Sequence, residues 1–230
     1  RLGRMIMNRT IAVVAAHPDD EVLGCGGTLA RHVAQGDSVH LLFLADGVTS
    51  RDASADSRYR NQAAISAAKT LGVNTPHFLD FPDNGLDTIP LLKVIQAVEK
   101  VIDEINPDII YTHHGGDLNI DHEITHRAVI TACRPIPGQS VTSIYGFEVL
   151  SSTEWGSPDQ NMPFQPTHFV SIEDFLDDKL AALKFYSEEM RDFPHARSFE
   201  SVEHLARLRG SQVGLKAAEA FTVLRQIEKD

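Results

Sequence analysis

The chain has 230 residues, 42% of them hydrophobic, enough for one sizeable buried core. Lys and Arg total 21 against 32 Asp and Glu, a formal charge of −11, and no basic run is interleaved with aromatics, which argues against nucleic acid and anionic membrane as partners. No apolar stretch approaches the ~20 residues of a membrane span. Cys25 and Cys133 lie outside any C-x-x-C pattern, so a reducing cytoplasm is expected rather than a disulfide framework.

Residues 1–9 read as a basic, frayed lead-in without the apolar core of a secretory signal. The apolar run Ile11–Ala15 predicts a first strand, and Val22–Gln35 a helix closed by Gly36. A strand over Val39–Leu44 leads to a helix over Ser57–Leu71, with Gly72 at its end, and then to a short strand over His77–Leu79. Ile89–Ile105 is the clearest helix, because Leu92, Ile95, Val98, Ile102 and Ile105 recur at helical spacing. Asp108–Thr112 predicts a strand and His122–Ala132 a helix. Strands follow at Ser143–Val149 and His168–Ser171, separated by a Ser-, Pro- and Gly-rich loop over Ser151–Pro166. From Glu173 onward the tail reads as mostly helical. Alternating strands and helices predict an α/β fold: a Rossmann-like, mostly parallel sheet flanked by helices, with residues 1–230 forming one domain.

The polar residues collect where these strands end. His17–Glu21 follow the first strand, Asp46 the second, Asp80–Asp83 the third and His113–His114 the fourth. In an open parallel sheet the carboxyl ends form the rim where ligands bind. Ala16-His17-Pro18-Asp19-Asp20-Glu21 sets an imidazole and three carboxylates at that rim. His17 and Asp20 suit Zn²⁺ through nitrogen and oxygen, and Asp19 between them is left to act on water. A catalytic zinc commonly takes three protein ligands, and the best third candidate is His122. It ends the segment His113-His114-Gly115-Gly116-Asp117-Leu118-Asn119-Ile120-Asp121-His122, in which Asp121 is a candidate helix cap. His126 shares a helical face with His122, but the strand-end motif already supplies two ligands, so His126 is not expected to touch metal.

These motifs resemble the LmbE/PIG-L family of zinc-dependent de-N-acetylases. The family's A-H-P-D-D-E stands intact at Ala16–Glu21, and its later D-H pair matches Asp121-His122. The likeness continues through Leu71-Gly72-Val73, Phe81-Pro82-Asp83, Ser152-Thr153-Glu154-Trp155, Pro194–Ser198 and Ala218–Phe221, covering most of the chain. It implies zinc ligands His17, Asp20 and His122, Asp19 as general base, and hydrolysis of an N-acetyl group on a small GlcNAc-like sugar or glycoconjugate. It also implies sugar contacts at Asp83 and Arg60, each with a plainer alternative: Asp83-Asn84-Gly85 is a good turn, and an arginine on a helix is usually solvated. Trp155 is a candidate platform for a pyranose face or, equally, a core or subunit contact. A homo-oligomer is compatible with the sequence.

The family pattern breaks at one position. Many members carry a histidine three residues before the final ligand, where it helps stabilise the oxyanion or protonate the leaving amine, and this chain has Asn119. Asn119 as an amide donor, or His113, His114 or His126, are the candidates for that work. Arg197, Arg209 and Glu219 are candidates to line the pocket or to form ion pairs that order the tail, the second reading being favoured. Two rivals stand beside the hydrolase: a non-catalytic zinc- or sugar-binding module, which an intact Asp19 disfavours, and a dinucleotide oxidoreductase. The second fails on Gly24-Cys25-Gly26-Gly27, where Leu29 replaces the last glycine of G-x-G-x-x-G; those glycines are expected to let the first helix pack closely.

Overall fold

The computed structural model describes residues 8–45, 57–157 and 162–228. Its seven strands are β1 (Thr10–Ala15), β2 (Ser38–Ala45), β3 (His77–Phe81), β4 (Ile109–His113), β5 (Ser143–Phe147), β6 (His168–Ser171) and β7 (Ala218–Gln226). They form one sheet in the order β3-β2-β1-β4-β5-β7-β6, parallel through the first five positions, with β7 antiparallel to both its neighbours. The helices are α1 (Asp20–Ala34), α2 (Ser57–Leu71), α3 (Leu91–Ile105), α4 (Ile120–Ala132), α5 (Leu176–Leu183) and α6 (Phe199–Ser211).

The continuous apolar character of β1 follows from burial on both faces. Ile11, Val13 and Ala15 point into a core with Leu41, Phe43, Tyr111 and Phe147 beneath α1 and α2. Ala12 and Val14 point the other way, into Leu42, Ile110, Ile144, Val94 and Val98 beneath α3 and α4. The period of two along the strand thus divides one run of residues between two cores. Gly36 and Gly72 end α1 and α2 with φ of 86° and 75°, the left-handed conformation expected there.

Three expectations are corrected. The tail is not mostly helical, because after α5 and α6 the chain enters the sheet as β7. The unpaired edges of β5 and β6 dictate this strand, and such pairing is invisible to local propensity. On α3, Ile95, Val98 and Ile102 are buried as expected and Ile105 packs against the same core, but Leu92 is 63% exposed and Val94 and Val101 complete the buried face in its place. Arg9 is no frayed end, since its guanidinium pairs with Asp37 at 2.7 Å; the rest of that lead-in up to residue 7, like Asp46, lies outside the described residues.

Helix α1 is broken at Cys25 (φ −148°), a buried residue as expected. The break frees backbone groups, and a buried ion pair takes them up. Glu219 accepts from Gly27 N (3.0 Å) and Thr28 N (2.7 Å), while Lys179 Nζ donates to Leu23 O (2.8 Å) and Glu219 (2.6 Å). A Cβ at Gly27 would meet Ile172 at 2.8 Å, and one at Gly24 would enter the Phe147 ring, so the glycines serve close packing and not phosphate binding. Glu219→Ala would strand the Lys179 ammonium in the core, at an expected cost of about 3–5 kcal/mol in urea denaturation. A loss within about 0.5 kcal/mol, the range of an ordinary surface change, would show that the pair carries no such burden.

Candidate metal and catalytic site

The site lies beyond the carboxyl ends of β1 and β4, adjacent strands at which the sheet order reverses direction. The β1–α1 turn is tight. Asp19 takes φ 116°, a left-handed conformation rare outside glycine and tolerated best by Asp and Asn. Two carboxylates hold the turn from within it: Asp20 Oδ2 accepts from His17 N (2.9 Å), and Glu21 Oε2 accepts from Asp19 N (2.9 Å). Tyr186 donates to the other Glu21 oxygen at 2.6 Å. Burial pushes Glu21 up to about 8 despite that hydrogen bond. With both oxygens engaged in the core, Glu21 is a brace for Asp19.

The expected ligand set meets here. One donor atom each from His17, Asp20 and His122, all buried, lie within 4.8 Å of one another. Asp20 Oδ2 is 3.4 Å from His17 Nδ1 and 3.3 Å from His122 Nε2. The outward nitrogen of each ring is backed by a carboxylate: Asp117 Oδ1 is 3.0 Å from His122 Nδ1, and Asp121 Oδ2 is 2.9 Å from His17 Nε2. Such outer carboxylates fix ring orientation in metal sites. Asp117 is oriented by Ser152 and Thr153, whose hydroxyls donate to it.

The electrostatics suit a cation. Burial works against charge on His122, but Asp20 and Asp117 outweigh it and lift the imidazole to about 9; burial is likewise outweighed at His17 by Asp121, Asp20 and Asp83. Burial would also raise Asp20, yet His122 and His113 hold it well below the usual carboxylate range. The carboxylates that favour protons on those rings equally favour a metal ion between them. A second grouping, His17 with Asp83 and Asp121, is the poorer candidate. Asp121 already accepts a backbone N–H on each oxygen, from Asn84 N (2.7 Å) and Leu86 N (3.0 Å), so two of its four acceptor sites are taken.

The remaining predicted residues divide. Asp83 lies at the rim with Oδ1 3.1 Å from His17 Nε2. Trp155 is 51% exposed and meets His195 edge-on, outside the core. Arg60 is not a solvated helix residue: it is 5% exposed, pairs with Glu189 at 2.6 Å, donates to Pro18 O at 2.7 Å and lies 3.7 Å from Asp19. Asp121 does not cap α4. Asn119 does, accepting from Asp121 N at 2.8 Å, and its amide nitrogen donates to Asn84 Oδ1 at 3.1 Å. His126 stays away from the cluster, with Nδ1 2.8 Å from His113 O.

Arg209 and Glu219 do form structural pairs, Arg209 with Glu148 at 2.7 Å. Arg197 takes the pocket side of its two readings, its Nη1 reaching Asp19 Oδ2 at 3.1 Å. Burial lifts Asp19 above its ordinary value, and Arg197 and Arg60 pull it back. Sequence reasoning also missed Asp117, although an acid five residues before His122 in a glycine-led loop is the kind of residue that orients a ligand histidine. Tyr186 and Glu189, from the tail, carried no local signal.

A profile of the PIG-L family, described as GlcNAc-PI de-N-acetylase, matches residues 12–133, more than half the chain, from within β1 to just past α4. The chain belongs to the PIG-L family. A relative named as the uncharacterized deacetylase YaiS of Escherichia coli K12 is 33% identical over 180 residues, covering 76% of this chain and 88% of its own. A 1D-myo-inositol 2-acetamido-2-deoxy-alpha-D-glucopyranoside deacetylase of Mycobacteroides abscessus is 30% identical, covering 76% and 74%. In fold, the chain is similar to the N,N'-diacetylchitobiose deacetylase of Pyrococcus horikoshii, with a TM-score of 0.77 at 20% identity over 94% of this chain and 84% of that one. Among the described residues no helix is long and apolar enough to cross a membrane.

Proposed function

We propose that this PIG-L protein is a zinc-dependent N-deacetylase that removes the acetyl group from a GlcNAc-like sugar or glycoconjugate. The observation that carries the reading is the buried His17–Asp20–His122 cluster with Asp19 beside it, a donor set of two nitrogens and one oxygen that fits zinc. His17, Asp20 and His122 hold the ion, and Asp117 and Asp121 orient the two rings. Bound there, Zn²⁺ supplies Lewis acidity to the acetamide carbonyl and to the attacking water. Asp19 takes a proton as the water oxygen bonds to the carbonyl carbon and the carbonyl electron pair moves onto its oxygen. Asp19 then returns the proton to nitrogen as the C–N bond breaks, giving a free amine and acetic acid, which ionises.

Names of relatives that act on acetamido sugars support the substrate class. Arg60, spent on Glu189, Pro18 and Asp19, is assigned to holding Asp19 and not to a sugar hydroxyl. Asp83 and Trp155 are the sugar contacts in this reading, and a cytoplasmic location belongs to it as well. Trp155→Ala is expected to raise KM several-fold with kcat little changed, because stacking on a pyranose is made equally in ground and transition states; an unchanged KM would remove Trp155 from the sugar site. The reading itself is tested by acetate release from a panel of N-acetylated sugars. Zinc-loaded protein that binds such sugars without releasing acetate would make it a binding module instead.

A further inference from the structure

The deacetylase reading leaves a positively charged group to be found for the oxyanion, because the three histidines considered for that work are committed and Asn119 is a neutral amide that gives one of its two N–H groups to Asn84. Asn119 spends its carbonyl on the α4 cap and one amide N–H on Asn84. His113 Nε2 accepts from Ala16 N at 2.9 Å, and His114 Nε2 lies 2.7 Å from Met162 O; the second ring nitrogen of each is sealed from solvent. His126 is held against the His113 carbonyl. Charge on His126 is also disfavoured, by burial and by His114, although the His113 carbonyl opposes this.

Resting on that reading, we propose that Arg197 is the catalytic residue that stabilises the oxyanion of the tetrahedral intermediate. Its guanidinium is fixed at two points, Nε donating to Ser151 Oγ at 2.9 Å and Nη1 to Asp19 Oδ2 at 3.1 Å, and Nη2 makes no hydrogen bond among the described residues. The side chain is 17% exposed, so it reaches the site mouth and is not sealed below it. Ser151 is itself held for this task. It adopts φ 65°, its backbone N–H donates to Glu154 Oε1 at 2.5 Å, and Ser152 N donates to Glu154 Oε2 at 3.2 Å.

The same turn supplies the Ser152 and Thr153 hydroxyls to Asp117 behind His122. One four-residue turn therefore sets both the orienter of a metal-ligand histidine and the guanidinium beside the base. A pre-oriented, permanently charged donor next to the group that deprotonates the water lies where negative charge develops on the adjacent carbonyl oxygen, and it needs no reorganisation during the reaction.

The test uses zinc-loaded wild type with Arg197→Ala and Arg197→Lys. Arg197→Ala is expected to lose on the order of 10²–10³ in kcat, the usual effect of removing an oxyanion donor, with KM and zinc content unchanged. A sub-denaturing concentration of guanidinium should restore part of the activity, and Arg197→Lys should retain part of it. Affinity for a phosphonamidate analogue of the tetrahedral intermediate should fall in parallel with kcat/KM. An analogue bound as tightly by Arg197→Ala as by wild type, or full kcat in that variant, overturns the assignment while leaving the deacetylase reading standing. A wild type inert toward every N-acetylated sugar overturns the deacetylase reading, and the assignment with it.

Discussion

Asp19→Asn is expected to lower kcat by about 10²–10⁴, the range of general acid–base catalysis, while zinc content and KM stay near wild type. The substitution isolates chemistry from structure unusually well at this position. Asn tolerates the left-handed φ of 116° about as well as Asp, and its carbonyl oxygen still accepts from Arg197. What it lacks is the capacity to take a proton from water. Single-turnover acetate release with parallel metal analysis makes the measurement, and a kcat near wild type in metal-replete Asp19→Asn would remove Asp19 from the base role. Glu21 would be a poor replacement, because its oxygens are engaged by Tyr186 and Asp19 N inside the core.

The second large effect concerns the third ligand. His122→Ala is expected to weaken zinc binding by more than the roughly 10–100-fold that loss of an outer partner costs, since it removes a donor atom outright. His126→Ala, on the same helix but bonded to the His113 carbonyl, should keep its zinc. His122 also stacks on His113 with ring centroids 3.9 Å apart, so circular dichroism must accompany the metal analysis. Full zinc occupancy in a folded His122→Ala, with loss in His126→Ala, would move the third ligand along the helix.

Much of this was legible in the sequence for physical reasons that act locally. Strand β1 and the ligands that follow it are contiguous, so the apolar run Ile11–Ala15 and the cluster His17–Glu21 announce both the element and its chemistry. Placement of the polar residues at strand ends followed from the βα alternation, since a parallel sheet brings every carboxyl end to one rim. His122 could be paired with His17 on that ground alone.

Tertiary structure decided what depends on residues far apart in the chain. β7 is a strand because β5 and β6 offer unpaired edges, and nothing local to Ala218–Gln226 requires it. Nothing local placed Arg60, read as a sugar contact or a solvated helix residue, or Arg197, read as a pocket or tail-pairing residue, beside Asp19; folding brings them onto its carboxylate from 41 and 178 residues away. Asn119 looked free to donate because only folding brings Asn84 Oδ1 within 3.1 Å of its amide nitrogen. Sequence thus determined which groups are present and at which edge they gather. Only packing determined which of them remain unpaired, because a side chain's availability depends on every neighbour that reaches it.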